Sequence, residues 1–164
     1  MGKSKIYLLF GSNIGDKKKH IDNAQNFVKN EIGEIVAESS LYLTEAWGFD
    51  SDSMFLNKII VVESNLNAFE ILEITQKIEL KLGRANKTTD KYQSRIIDID
   101  ILFYDDEIIE ASKLTIPHPQ IQNRRFTLQP LAEIAPDFIH PKLRKSISQL
   151  LADCKDEKKS SRLQ

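Results

Sequence analysis

The sequence has 164 residues, of which 41% are hydrophobic, and this is enough for one compact domain. Its 23 basic and 24 acidic side chains leave a net charge of -1, whereas nucleic-acid and membrane-surface proteins need a broad basic face. Cys154 is the only cysteine, so no intrachain disulfide forms. No apolar stretch approaches the roughly 20 residues of a membrane span. We expect a cytoplasmic monomer that binds neither nucleic acid nor membranes.

The first part of the chain predicts two strands that flank an amphipathic helix. An apolar run at 6–10 predicts a buried strand over about 5–10, and Asp16 is a suitable N-cap for the helix that follows. Gly33 ends this helix, and a second strand is expected over 34–43. The apolar face of the helix consists of Ile21, Ala24, Phe27 and Val28.

The middle of the chain predicts a buried strand and the clearest helix. Residues 59–62 are all aliphatic, which is typical of a central strand. The helix is predicted over 67–82, because Asn67 and Glu70 have the spacing of a capping box and an apolar stripe follows them. That stripe consists of Ile71, Ile74, Ile78 and Leu82.

The rest of the chain predicts one more long strand and then irregular structure with short helices between prolines. The strand is expected over 96–104, and Asp105-Asp106 predict a hairpin turn into a strand at 108–109. We expect residues 1–154 to form a single domain. Residues 155–164 are charged and polar, so we expect a disordered tail there.

The predicted elements follow the order strand-helix-strand-strand-helix-strand. This is the order of an α+β fold, the ferredoxin-like βαββαβ sandwich, in which helices pack on an antiparallel sheet. The same architecture supports many unrelated activities, so the fold by itself does not indicate a function.

Two acidic residues share one face of the strand predicted at 96–104. Side chains alternate along a strand, so Asp98 and Asp100 point to the same side, about 7 Å apart, and the neighbouring isoleucines point to the other. Paired carboxylates repel each other unless a cation joins them, and Mg²⁺ binds such oxygens together with substrate phosphates. An exposed edge strand with two ordinary acids has the same pattern, so the spacing leaves both interpretations open.

Basic residues around this strand favour a phosphate site. Arg84 and Arg95 flank the polar loop that precedes it, and Arg124-Arg125 follow His118 further along. Guanidinium groups bind phosphate oxygens bidentately and stay charged. Taken singly, each arginine is more often a surface residue, and His118 can equally bond its own backbone. The phosphate interpretation therefore requires that these side chains converge.

Several motifs occur in the order of one enzyme family between Ile6 and about Pro141. They are Gly11-Ser12-Asn13; Ser40-Leu41-Tyr42 through Thr44 and Gly48; Phe55-Leu56-Asn57; Gln76-Lys77-Ile78-Glu79 with Gly83-Arg84; Arg95-x-x-Asp98-Ile99-Asp100-Ile101-Leu102; Leu114-Thr115-Ile116-Pro117-His118; and Asn123-Arg124-Arg125-Phe126. With them the sequence resembles the 6-hydroxymethyl-7,8-dihydropterin pyrophosphokinases. The resemblance implies a ferredoxin-like pyrophosphokinase domain that transfers the β,γ-pyrophosphoryl group of ATP to the pterin's hydroxymethyl group in folate biosynthesis, releasing AMP. It also implies two Mg²⁺ ions.

The resemblance further implies roles for the matching residues. Asp98 and Asp100 would bind the metal ions, and Arg84 and Arg95 would be catalytic arginines of mobile loops. The ATP site would consist of Gln76, Glu79, Arg84, Arg95, Ile101, Lys113, Thr115, His118 and Arg124. The pterin site would consist of Thr44, Glu45, Trp47, Phe55, Asn57, Asp98 and Phe126. In it two phenylalanines would stack on the ring, and Asn57 would bind its edge.

Four positions carry residues that are unusual for the family. They are Asn86, Tyr92, Gln93 and Pro119. All lie on or near the loops expected to face ATP, so they bear on loop closure and ATP affinity more than on the reaction.

Two other functions fit the predicted fold. A ferredoxin-like module that senses a nucleotide without chemistry would make Phe55, Asn57 and Phe126 ordinary core residues. A binder of single-stranded nucleic acid would need aromatic residues on the sheet where Asp98 and Asp100 stand, and the acidic balance argues against it.

Overall fold

The chain follows the predicted order of elements through its first two thirds. The computed structural model describes residues 2–45, 54–83, 96–158 and 160–163. Its elements are β1 (Ser4–Ser12), α1 (Lys17–Glu31), β2 (Glu34–Glu38), β3 (Tyr42–Glu45), β4 (Met54–Ser64), α2 (Ala68–Gly83), β5 (Asp98–Tyr104), β6 (Ile109–Glu110), β7 (Thr115–Ile116), a 3₁₀ turn (Ile121–Asn123), α3 (Arg125–Ile134), α4 (Ile147–Asp153) and β8 (Ser160–Arg162).

The main sheet has the strand order β5-β1-β4-β3-β8, and β2 also pairs with β4. Each of these pairings is antiparallel. The apolar run at 6–10 and the aliphatic run at 59–62 lie in the two central strands, where both faces are covered. The arrangement of β5, β1, β4 and β3 with α1 and α2 is ferredoxin-like, which confirms the predicted α+β fold.

Helices cover both faces of the sheet. Because side chains alternate along β1, Leu8 and Phe10 enter the core beneath α1 and α2, while Tyr7 and Leu9 enter a second core beneath α3 and α4. The last third of the chain, predicted to be irregular with short helices, therefore supplies the layer on the second face.

The predicted helix caps are present. Asp16 accepts a hydrogen bond from the Lys19 nitrogen at 3.2 Å, and Asn67 and Glu70 exchange two bonds of 2.9 Å as a capping box. Gly33 lies so close to β4 that a Cβ there would collide with the backbone carbonyl of Glu63. No helix in the described ranges is long and apolar enough to cross a bilayer.

Two predicted strand features differ in the structure. The strand expected over 34–43 is divided into β2 and β3. Directly after β2, the Ile59 backbone nitrogen donates its 2.9 Å hydrogen bond to the Ser39 hydroxyl, so the side chain replaces a backbone partner there. A turn does follow β5, and in it the Asp105 carboxylate accepts a 2.8 Å hydrogen bond from the Lys5 backbone nitrogen. The chain leaves the main sheet at that turn, so β6 pairs with β7 instead of returning along β5.

The C-terminal segment departs furthest from the sequence prediction. Ser160–Arg162 forms β8, which pairs with β3, and the Leu163 nitrogen donates to the Leu41 carbonyl at 2.8 Å. The expectation of a disordered tail over 155–164 therefore does not hold for these residues. Their pairing uses backbone groups at an open sheet edge and needs no apolar pattern in the sequence.

Candidate active site

A cavity of about 290 Å³ lies at one end of the sheet face that α3 and α4 cover. Its lining comes from four neighbouring strands and the start of α3: Leu9, Gly11, Thr44, Glu45, Phe55, Asn57, Asp98, Asp100, Arg124 and Phe126. The strand register explains why these residues meet. Gly11 pairs with Asn57 on one side and with Asp98 on the other, and Thr44 pairs with Phe55.

Asp98 and Asp100 stand together on the cavity side of β5 and are partly exposed. Ile97, Ile99 and Ile101 are buried in the core beneath α1 and α2. The alternation predicted for this strand is therefore confirmed, and it separates the two carboxylates from the apolar side chains around them.

Polar groups on neighbouring elements hold the start of β5. Although β5 is an edge strand, its Ile99 nitrogen donates a 2.7 Å hydrogen bond to Glu79 Oε2 at the end of α2. The Ser12 hydroxyl donates a 2.7 Å bond to the Ile96 carbonyl. These bonds satisfy backbone groups that lack a strand partner, and they fix the segment that carries the two aspartates.

Asn57 supplies a buried amide to the cavity. It is only 3% exposed, and its Nδ2 donates a long 3.4 Å hydrogen bond to Thr44 Oγ1. On its other side, a Cβ at Gly11 would lie 2.9 Å from Asn57 Oδ1, so glycine leaves the room that the amide needs. An amide held in this way can offer both a donor and an acceptor to the edge of a heterocycle.

His118 and Arg124 place two donors near Asp100. The backbone nitrogen of His118 donates a hydrogen bond to the Leu102 carbonyl at 3.0 Å. The ring Nδ1 of His118 accepts a 3.1 Å bond from the Gln120 backbone nitrogen. Burial lowers the pKa of His118, while the Asp100 carboxylate opposes this effect and Arg124 adds to it. The ring is therefore neutral near pH 7, with its proton on Nε2, and can donate a hydrogen bond.

The donor set suits a hard cation that shares its ligands with a substrate. Among the residues that the structure describes, no three or more His, Cys, Asp or Glu side chains form a group able to hold a metal ion. Two carboxylates alone fill only part of an octahedral shell. Mg²⁺ fits such a pair, because it keeps several waters and takes further oxygens from phosphates.

The matching family model is described as 7,8-dihydro-6-hydroxymethylpterin-pyrophosphokinase (HPPK), and it covers residues 7–136. The chain belongs to this family. It is similar to curated proteins named 2-amino-4-hydroxy-6-hydroxymethyldihydropteridine pyrophosphokinase. The Porphyromonas gingivalis relative is 39% identical over 138 residues, which are 83% of this chain and 93% of the relative. The Aquifex aeolicus relative is 40% identical over 144 residues, which are 88% of each chain.

A solved structure agrees with the fold. Wild-type HPPK-DHPS of Plasmodium falciparum superimposes with a TM-score of 0.75 over 92% of this chain, at 18% identity. The present chain spans 44% of that longer protein. The resemblance predicted from the sequence motifs is thus confirmed as family membership, and the ferredoxin-like fold is confirmed with it.

Most residues predicted for the pterin site line the cavity. They are Thr44, Glu45, Phe55, Asn57, Asp98 and Phe126, while Trp47 lies outside the described residues. Sequence reasoning did not nominate Leu9 or Gly11, which also line it. The motif Gly11-Ser12-Asn13 held a signal for Gly11, since a glycine at a strand end permits close approach, but Leu9 is indistinguishable from a core residue.

Residues predicted for the ATP site are more dispersed. Arg124 lines the cavity, with its guanidinium carbon 5.5 Å from the centroid of the Phe126 ring, and His118 lies beside it. Glu79 is bound to the β5 backbone. The predicted loop residues Arg84, Asn86, Tyr92, Gln93 and Arg95 all lie outside the described ranges.

The remaining ATP-site predictions lie away from the cavity lining. Gln76 is exposed on α2, Thr115 is exposed in β7, and Lys113 is exposed with its Nζ 5.8 Å from the centroid of the Phe69 ring. Ile101 is 5% exposed, and its side chain lies in the core on the sheet face opposite the aspartates. Only its backbone is available to a nucleotide, and these four roles stay predictions.

Proposed function

We propose that the cavity binds 6-hydroxymethyl-7,8-dihydropterin and that the enzyme transfers the β,γ-pyrophosphoryl group of ATP to the pterin's hydroxymethyl oxygen, releasing AMP. Membership of the family makes the chain a pyrophosphokinase of folate synthesis. One observation carries the proposal. The carboxylate pair of Asp98 and Asp100 lines the same cavity as the buried amide of Asn57 and the rings of Phe55 and Phe126.

The apolar and polar parts of the cavity suit a flat heterocycle. Leu9, Phe55 and Phe126 supply apolar surface on which a pterin ring stacks, and stacking favours planar rings over flexible chains. Asn57 binds the edge of the ring, where a pterin carries both donors and acceptors. The Thr44 hydroxyl accepts a hydrogen bond from the Asn57 amide.

The phosphate end of the site combines both signs of charge. Asp98 and Asp100 would hold two Mg²⁺ ions together with the phosphates of ATP. When bound, Mg²⁺ neutralises charge on the phosphate oxygens. Arg124 and His118 donate hydrogen bonds to those oxygens. We expect Arg84 and Arg95, which lie outside the described residues, to bind the same phosphates.

Catalysis in this proposal consists of positioning and charge stabilisation. Asn57 and the apolar walls hold the pterin so that its hydroxymethyl group faces Asp98 and Asp100. Negative charge develops on the bridging oxygen that leaves with AMP, and arginine side chains aimed at the phosphates stabilise it. The proposal places a monomeric enzyme in the cytoplasm, with ATP and the pterin as its partners.

Product analysis tests the reaction class. Purified protein is incubated with ATP, Mg²⁺ and 6-hydroxymethyl-7,8-dihydropterin, and the nucleotides are separated by chromatography. We expect AMP and the pterin pyrophosphate in equal amounts. Formation of ADP would show a simple kinase and overturn the proposed transfer.

Coupled binding tests the site itself. We expect a pterin analogue to raise the melting temperature more when Mg²⁺ and a non-hydrolysable ATP analogue are present, because both ligands meet at the aspartates. A protein that only senses nucleotides would respond to the ATP analogue and not to the pterin. That outcome, or no response to either ligand, would contradict the enzyme proposal.

A further inference from the structure

A chain of hydrogen bonds leads from the cavity to the C-terminal strand. Asn57 Nδ2 donates to Thr44 Oγ1 at 3.4 Å, and Thr44 Oγ1 lies 3.0 Å from the Ser160 hydroxyl oxygen. Asn57 is 3% exposed and Thr44 is 2% exposed, so water has little access to the first two groups. Ser160 is therefore the outer partner of a buried polar pair that lines the cavity.

Backbone pairing determines the position of Ser160. It lies directly opposite Thr44 in the β3–β8 register, so the two side chains share the cavity face of the sheet. Ser161, the next residue, lies opposite Leu43 and points to the other face, where it is exposed. The contact to Thr44 is therefore specific to one of two adjacent serines.

The same segment is attached to the opposite wall of the cavity. Arg125, the first residue of α3, donates its backbone nitrogen to Asp156 Oδ2 at 3.1 Å and its Nε to the Asp156 carbonyl at 2.8 Å. Its Nη2 donates to the Cys154 carbonyl at 3.0 Å. Asp156 thus caps α3, whose own N-cap residue Arg124 makes no side-chain cap bond. The C-terminal segment therefore joins the α3 wall to the β3 wall.

We propose that Ser160 is a positioning residue for pterin recognition, which acts through Thr44 to fix the orientation of the Asn57 amide. The proposal rests on the proposed function, since it assigns the cavity to the pterin. Without the Ser160 hydroxyl, Thr44 loses its shortest partner and its hydroxyl can rotate. The long bond to Asn57 then no longer distinguishes Nδ2 from Oδ1, and a turned amide presents the wrong donor pattern to the ring edge.

The test compares Ser160→Ala with Ser161→Ala, its neighbour on the opposite face. Pterin affinity is measured by isothermal titration calorimetry with Mg²⁺ and a non-hydrolysable ATP analogue present. We expect Ser160→Ala to raise the Kd of the pterin about fivefold, the ratio expected for one lost hydrogen bond. Nucleotide affinity should not change, Ser161→Ala should match wild type, and Ser160→Thr, which keeps the hydroxyl, should bind pterin almost normally.

A double-variant cycle shows whether Ser160 acts through Thr44. In a Thr44→Val background, Ser160→Ala should weaken pterin binding no further, because the hydroxyl that it positions is already absent. An undiminished effect in that background would overturn the proposal, and so would wild-type affinity in the single Ser160→Ala variant. If the wild-type protein bound no pterin, both this inference and the proposed function would fail, whereas the other outcomes concern Ser160 alone.

Discussion

The Tyr42 hydroxyl in β3 donates a 2.8 Å hydrogen bond to Glu133 Oε1 in α3. The same carboxylate accepts bonds of 3.0 and 3.1 Å from the Ser40 nitrogen and one of 2.8 Å from the Ser40 hydroxyl. Thr44 follows two residues after Tyr42. Arg124 is the N-cap residue of α3, and Phe126 lies in the first turn of that helix. One carboxylate therefore joins the two elements that form opposite walls of the cavity.

The Glu133→Ala variant should lower the free energy of unfolding by about 1–3 kcal/mol, because the buried Tyr42 hydroxyl and the Ser40 nitrogen lose their acceptor. Urea denaturation followed by circular dichroism measures the change. Glu73→Ala, at an exposed position of α2, serves as the control and should change stability by less than about 0.5 kcal/mol. Equal losses in the two variants would contradict this role of Glu133.

The pKa of Tyr42 provides an independent measure of the same contact. The pKa of Tyr42 is raised to about 12. Burial is the largest cause, and the hydrogen bond and the charge of Glu133 add to it. The unfolded tyrosine has a pKa of about 10. The stability that the raised pKa contributes to the folded protein is therefore present below about pH 10 and is lost as pH rises through the folded pKa. Glu133→Gln should lower the pKa of Tyr42, as measured by tyrosinate absorbance against a Tyr42→Phe reference.

The Asp98→Asn and Asp100→Asn variants should each reduce turnover by at least about 10²-fold, because each removes a charged oxygen ligand from the proposed metal site. Steady-state formation of AMP measures the effect, and circular dichroism checks that the fold is kept. Asp106→Asn, in the exposed turn after β5, is the matched control and should keep full activity. Wild-type turnover in either site variant would remove the metal assignment from that residue.

The Gly11→Ala variant should weaken pterin binding about tenfold, or ~1.4 kcal/mol, because the added methyl group displaces the Asn57 amide. The new Cβ would stand 2.9 Å from Asn57 Oδ1, closer than the two atoms can approach without movement. Calorimetry with the pterin measures the change, with nucleotide affinity as an internal reference. Gly2→Ala is the control, since a Cβ there meets nothing within 4 Å, and unchanged binding by Gly11→Ala would show that Asn57 moves freely.

His140 should make the protein less stable as pH falls below neutral. Its ring is 3% exposed, and its Nδ1 accepts a 3.0 Å bond from the Leu143 nitrogen. The pKa of His140 is lowered mainly by burial, and the charge of Lys142 adds to this effect. The unfolded histidine therefore binds a proton first, at a pKa of about 6.5, and stability is lost as pH falls from there through the folded pKa.

Urea unfolding at a series of pH values measures this dependence. Because burial also lowers the pKa of His118, the comparison uses a His118→Asn background with and without His140→Gln. We expect a flatter profile between about pH 7.5 and 5.5 when His140 is replaced. Parallel profiles in the two proteins would exclude His140 as the source.

Features of the fold and site that depend on near neighbours were predictable from the sequence. The shared face of Asp98 and Asp100 follows from strand alternation alone, and the Asn67–Glu70 capping box follows from a spacing of three residues. The ferredoxin-like order follows from helix and strand periodicities, and the ordered motifs identified the family and most of the cavity lining.

Features that join distant segments required the tertiary structure. Periodicity does not determine which strands are neighbours, so it could not place Gly11 between Asn57 and Asp98. Asp156 caps α3 from 31 residues away, beyond the reach of any local capping pattern. The polar β8 binds β3 through backbone groups that every residue carries, so the composition of this segment contained no sign that Ser160 would contact Thr44.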